Sequence, residues 1–120
     1  MTDAQPEQHG QLAVGESTLD GVRVVALRGE LDHTTGDLAR QALKPPADEA
    51  YPRTVADLSH LTFMDSAGIN ALIAAHRAAA DAQGWLRVAG AQPAVRRVLE
   101  LVGIDALIPC HPTVNEALKS

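Results

Sequence analysis

The sequence has little with which to carry out covalent or cofactor chemistry. Cys110 is its one cysteine, so no disulfide can form within the chain, and burial and hydrogen bonds must hold the fold. A reducing cytoplasm suits such a chain. Aromatic residues come down to Tyr51, Phe63 and Trp85, too few for the stacking platforms that bases, haem or sugars require. The core must therefore be aliphatic. No stretch approaches the ~20 continuous apolar residues of a membrane span. The opening MTDAQPEQHG has no Lys or Arg and leads into no apolar run, which argues against a secretory signal. Positive charge is also short, with ten Lys and Arg against fifteen Asp and Glu. That balance is the reverse of a phosphate-neutralising surface, and no nucleic-acid partner is expected.

Motifs are missing as well. His9, His33, His60, His76 and His111 neither pair at i, i+4 nor cluster with Cys110, so no zinc spacing exists. Neither Lys44 nor Lys119 follows a glycine, and no GxGxxG follows an apolar run, so the known phosphate-cradling loops are absent and no cofactor is expected. Met64-Asp65-Ser66-Ala67-Gly68 has the Ser and trailing Gly of a nucleophile elbow but Met where the sharp turn wants its first Gly. With no base or oxyanion partner for Ser66 in the sequence, the chain does not read as an enzyme. His76 falls inside a helical pattern near its apolar face, the place of a packed histidine.

What is present is enough for one domain: 120 residues, 46% of them apolar. The excess negative charge lies entirely in residues 1–60, with ten acids to five bases, against five of each afterwards. A partner with a basic face could use it. Residues 1–10 are aperiodic and polar, the composition of a frayed tail. Two β-like runs, QLAVGESTL and VRVVALRG, flank Asp20-Gly21, a dipeptide suited to the positive φ angles of a type I′ hairpin. Thr34 or Thr35 then caps a helix running through Lys44, stopped by Pro45-Pro46. ADEAYPR is a polar loop, TVADL a short buried strand ending near Asp57, and SHLTFM a connecting loop.

From Asp65 or Ser66 to Gln83, Ile69, Leu72, Ile73 and Ala80 recur at helical spacing, with Gly84 as the left-handed stop. WLRVAG is a further strand. Pro93 opens a helix with Val95, Val98, Leu99 and Val102 on one face; Gly103 ends it, and Ile104 turns back toward Leu99. ALIPC reads as a final edge strand. Thr113 with Glu116 forms a capping box before the helix VNEALK. The resulting order predicts an α/β fold: a mixed sheet with an N-terminal hairpin, parallel crossovers and covering helices.

Asp65-Ser66-Ala67-Gly68 stands at the start of the longest helix, where free backbone N–H groups and the macrodipole favour negative charge. Ser66 reads there either as an N-cap or as an exposed hydroxyl able to take a phosphoryl group of about −1.5 to −2 charge. The helix end would stabilise that group without melting the fold.

The spans VRVVALRGELDHTTGDLARQAL, TVADLSHLTFMDSAGINALIAAHRAA and LRVAGAQPAVRRVLELVGID, in this order, resemble the STAS domain of bacterial anti-sigma factor antagonists, over about Leu12 to Leu118. The most specific elements are Gly29-Glu30-Leu31-Asp32, Asp57-Leu58-Ser59 and Phe63-Met64-Asp65-Ser66-Ala67-Gly68. The resemblance implies a STAS domain over residues 11–120 behind a tail of residues 1–10. It implies that Ser66, after the aspartate of D-S-x-G, is phosphorylated by an anti-sigma factor that is also a serine kinase of the histidine-kinase ATPase fold. The unphosphorylated form would bind that kinase and free the sigma factor, and a serine phosphatase would restore it after phosphorylation.

Asp32 matches the acid of the family's GELD turn, used in partner contact; on its own residues it reads equally as a turn cap. Asp65, Ala67 and Gly68 complete the expected partner-binding set, Gly68 by permitting close approach of a neighbouring chain. Asp57 reads as support. The ADEAYPR loop looks longer than the link usual in the family. The alternative is a STAS docking subunit of a membrane transporter, in which Ser66 need not be modified.

Overall fold

A computed structural model describes residues 11–119; the tail expected over residues 1–10 lies outside the described residues. The chain opens with β1 (Leu12–Leu19) and β2 (Val22–Leu31), an antiparallel hairpin in register from Leu12↔Gly29 to Leu19↔Val22. Asp20 and Gly21 both take positive φ, 54° and 78°, as the expected turn requires. α1 (Gly36–Leu43), β3 (Arg53–Met64), α2 (Ser66–Asp81), β4 (Trp85–Ala89) and α3 (Pro93–Leu101) follow, then a 3₁₀ turn (Ile104–Ala106), β5 (Cys110–His111) and α4 (Val114–Lys119). The five strands lie in chain order, with β1 and β2 antiparallel and β2 to β5 parallel. This is the mixed α/β sheet read from the sequence.

Both faces of the sheet are covered over its central strands, and the alternation within β2 shows how. Val25 and Leu27 join Leu58, Leu61, Leu72, Leu86, Val88 and Leu99 in the main core beneath α1, α2 and α3. Val22 and Val24 point the other way, into a smaller cluster with Val55, Ala89 and Ala117 beneath α4. α1 is anchored at its C-terminus by Arg23 of β2, whose guanidinium donates to the carbonyls of Ala42, Leu43 and Lys44 at 2.8, 2.9 and 3.1 Å. These are orphan carbonyls at the negative end of the helix dipole. Among the described residues, no helix is long and apolar enough to cross a membrane.

The structure corrects five local expectations. SHLTFM is not a loop but the second half of β3, paired with β2 as far as Leu31↔Met64. Register shifts between Ala26 and Arg28, and again between Gly29 and Glu30, each insert one extra residue into β3. The buried side chains Leu58, Leu61 and Met64 therefore recur every third residue, and the two-residue alternation that marks a strand is lost.

The apolar face of α2 consists mainly of small residues. Gly68, Ala71, Leu72, Ala75 and Ala79 are buried, Ile69 and Ile73 are half-buried, and Ala80 is exposed. Its stop is a Schellman turn in which Gln83, not Gly84, is left-handed (φ 65°). Gly84 N donates to Ala79 O at 2.7 Å and Gln83 N to Ala80 O at 2.9 Å. Gly84 is needed for another reason: a Cβ there would run into the backbone of Pro52.

Val102 lies past the end of α3 and is exposed. ALIPC yields only Cys110 to a strand, because Leu107 and Ile108 spend their N–H groups on Ile104 O, each at 2.8 Å. Asp57, expected as support, accepts from Ser59 N at 3.0 Å and braces the first β3 bulge.

Candidate functional site

The parallel strands β2 and β3 end side by side at Leu31↔Met64, and the chain leaves each in a polar turn. A backbone bond, Asp65 N to Leu31 O at 3.2 Å, ties the two turns together. This places Asp32 and the start of α2 next to one another.

Asp65 is the N-cap of α2: its carboxylate accepts from Ala67 N at 2.8 Å, and its carbonyl accepts from Gly68 N and Ile69 N at 3.0 and 3.3 Å. Because Asp65 takes the cap, Ser66 is released from it. Ser66 occupies the first helical position, is exposed, and among the described residues its hydroxyl has no hydrogen-bond partner. Of the two readings of Ser66, the capping one belongs to its neighbour.

Asp32 is buried, at 4% exposure, and its Oδ1 accepts from Thr34 N at 2.9 Å and from the Thr34 hydroxyl at 2.7 Å. The Thr34 hydroxyl bond holds the Asp32 carboxyl below its ordinary range, against burial, which acts in the opposite direction. Asp32 therefore caps its own turn. Neither threonine provides a side-chain cap for α1. Thr34 serves Asp32, and the buried Thr35 hydroxyl donates to Glu30 O and accepts from Asp32 N, both at 2.9 Å. Together these bonds fix the GELD turn from beneath.

Gly68 is also buried, and the close approach it permits lies within this chain: a Cβ there would come within 2.5 Å of Met64 Cγ and 3.0 Å of Leu31. Ala67 is half-buried against the start of α1, where a Cβ on Gly36 would stand 3.2 Å from its own. Sequence reasoning gave Thr35 the role of a helix cap, where its hydroxyl instead braces the GELD turn, and it missed Gly36. The only signal was their position, a Thr-Gly pair three residues beyond an acid and just before a helix. It also missed Phe63, 47% exposed three residues before Ser66, whose exposure follows from the second β3 bulge.

Among the described residues no group of three or more His, Cys, Asp or Glu is placed to hold a metal ion. Among the described residues, no histidine or carboxylate is bonded to the Ser66 hydroxyl as a base. The arrangement is a rigid, solvent-facing helix start with one free hydroxyl.

A family model, the STAS domain, matches residues 17–117. The chain belongs to the STAS family. This STAS chain is 33% identical over 103 residues to an anti-sigma F factor antagonist of Paenibacillus polymyxa, covering 82% of this chain and 85% of that protein. It superposes with a TM-score of 0.77 on the crystal structure of an anti-sigma factor antagonist from Mycobacterium paratuberculosis, at 32% identity over 91% of this chain and 92% of that one. The Bacillus cell fate determinant SpoIIAA, solved in its phosphorylated form, matches with a TM-score of 0.62 at 20% identity over 89% of this chain and 97% of that one. That last likeness is one of STAS fold alone.

Proposed function

We propose that this STAS protein is an anti-sigma factor antagonist switched by phosphorylation of Ser66, a binding protein and not an enzyme. The unphosphorylated form binds an anti-sigma factor that is also a serine kinase of the histidine-kinase ATPase fold, and the sigma factor is released. Phosphorylation ends the binding and a serine phosphatase restores it. Relatives named as antagonists support the class of function. The observation that carries the switch is the free, exposed hydroxyl of Ser66 one residue after a helix cap that is already filled by Asp65.

The physical logic is local. A phosphoryl group on Ser66 adds about −1.5 to −2 charge at a helix N-terminus, where the helix dipole favours negative charge, so the fold is kept. Toward a partner, the same group converts a small neutral contact into a bulky anion beside Asp65. Binding falls without refolding. In this reading Asp65 and Ala67 offer contact surface, while Asp32 and Gly68 shape it from beneath.

The test is capture of the kinase from the native cell lysate, with mass spectrometry of partner and phosphosite. Ser66→Ala should bind and resist phosphorylation, and Ser66→Asp should keep its far-UV circular dichroism and bind poorly. A kinase-dependent phosphate on Thr34 or Thr35 instead would refute the site. Equal affinity of the phosphorylated and unphosphorylated forms would refute the switch.

A further inference from the structure

The two edges of the sheet are built differently. β5 is two residues long and lies between Pro109 and Pro112, which cannot donate to a further strand. β1 is eight residues long, pairs with β2 without a bulge, and contains neither Pro nor Lys. Its one charged side chain, Glu16, lies 3.7 Å from Arg23 of the neighbouring strand. Every residue from Ala13 to Leu19 is exposed, whichever face it is on, with Val14 at 38% and Leu19 at 45%. Long edge strands are ordinarily shielded from pairing by charge, proline, bulges or a covering helix; β1 carries one charge, Glu16, drawn toward Arg23 of β2, and among the described residues it has none of the other devices.

The hairpin determines which backbone groups of β1 are free. Leu19 and Val22 flank a two-residue turn and form a hydrogen-bonded pair, so bonding to β2 falls on the odd-numbered residues of β1. The same parity appears just before the strand, where Glu30 N donates to Gln11 O at 2.9 Å. Leu12, Val14, Glu16 and Thr18 therefore direct their N–H and C=O groups away from the sheet.

We infer that β1 pairs antiparallel with β1 of a second copy about a two-fold axis through Gly15, joining two sheets edge to edge. Free-edge residues must meet free-edge residues, which restricts a two-fold axis to whole-residue positions, and overlap is greatest when it passes through Gly15 or Glu16. An axis at Glu16 sets that carboxylate against its own copy. An axis at Gly15 sets Glu16 opposite Val14 and Thr18 opposite Leu12, and nothing lies within 4 Å of where a Gly15 Cβ would stand. A second copy is the occupant that fits: its strand has the same length, its charge is offset, and two-fold symmetry consumes both long edges so that growth stops at a dimer.

Sedimentation of the full chain over a micromolar concentration series tests this, with mass rising toward twice 12.6 kDa expected. Val14→Pro deletes one outward N–H without touching the β2 ladder, and should hold the protein at single mass with its urea midpoint kept. In a Cys110→Ser background, Gly15→Cys places two thiols in a non-hydrogen-bonded pair with Cα atoms about 4.5 Å apart. It should oxidise to a covalent dimer, while Ser17→Cys in the same background should not. Single mass for the native chain at every concentration overturns the proposal, as does a dimer that survives Val14→Pro or crosslinks through Ser17→Cys in preference to Gly15→Cys.

Discussion

Asp65 and Ser66 are adjacent but carry separate burdens, and stability measurements should divide them. Removing the Asp65 cap by Asp65→Ala should cost ~0.5–2 kcal/mol in urea unfolding. Ser66→Ala, which removes an exposed hydroxyl without a partner, should stay within about 0.5 kcal/mol of the native chain. A Ser66→Ala loss equal to that of Asp65→Ala would return the cap to Ser66. Trp85, the one tryptophan, stacks 3.6 Å beneath the Arg87 guanidinium and gives a fluorescence signal for the transition.

Asp32 makes a pH-dependent contribution whose sign follows from its lowered pKa. A carboxyl held lower in the folded than in the unfolded chain stabilises above the unfolded value, and that stabilisation is lost as pH falls through the folded one. The stability gap between the native chain and Asp32→Asn should therefore be full at pH 6 and close below about pH 4. A gap unchanged down to pH 2.5 would remove the carboxylate from the turn's stability.

At the scale of elements, the sequence conveys whatever is regular. The hairpin was legible because Asp20-Gly21 suits a geometry that few other dipeptides tolerate, and α2 because its spacing holds over sixteen residues. The second half of β3 was not, since two inserted residues give it a three-residue spacing that belongs to neither strand nor helix. The D-S-x-G motif was legible as a helix start, but the assignment of the cap to Asp65 depends on the backbone turning before Ser66, which composition does not specify. The Gly36 packing was beyond reach, because it depends on two segments far apart in sequence meeting at Ala67; the Thr35 bonds are local, but they turn its hydroxyl back to Glu30 and Asp32 instead of forward to α1.

The misread stretches make a paired prediction. Leu61, in what looks like a loop, is fully buried, and Leu61→Ala should cost ~2–5 kcal/mol. Val102, at a helical core spacing, is 56% exposed, and Val102→Lys should stay within about 0.5 kcal/mol. The reverse ranking in urea midpoints would contradict the β3 bulges.

For the whole molecule, the fold is held by aliphatic burial on both faces of one sheet, with a single half-buried thiol and no metal cluster among the described residues. Its melting temperature should be the same with and without reductant or EDTA, and a shift with either would reveal a crosslink or an ion. β3 crosses the sheet from the hairpin turn, where Arg53 donates to Gly21 O at 3.2 Å, to the start of α2. Twelve strand residues at ~3.3 Å each separate these ends by roughly 35–40 Å.

The loop between α1 and β3 begins and ends at the hairpin end, where Lys44 O accepts from Arg23 and Arg53 reaches Gly21 O. Its last residues are fastened there, Tyr51 N to Ala82 O at 3.0 Å and Pro52 O to Trp85 N at 2.8 Å, while Tyr51 itself stands 63% exposed. The molecule thus has a natural handle. A dye or biotin attached through Tyr51→Cys in a Cys110→Ser background would hold every molecule on a sensor surface in one orientation, with Ser66 facing the solution. Extra residues in that loop would lengthen the tether and leave the Ser66 end as it is.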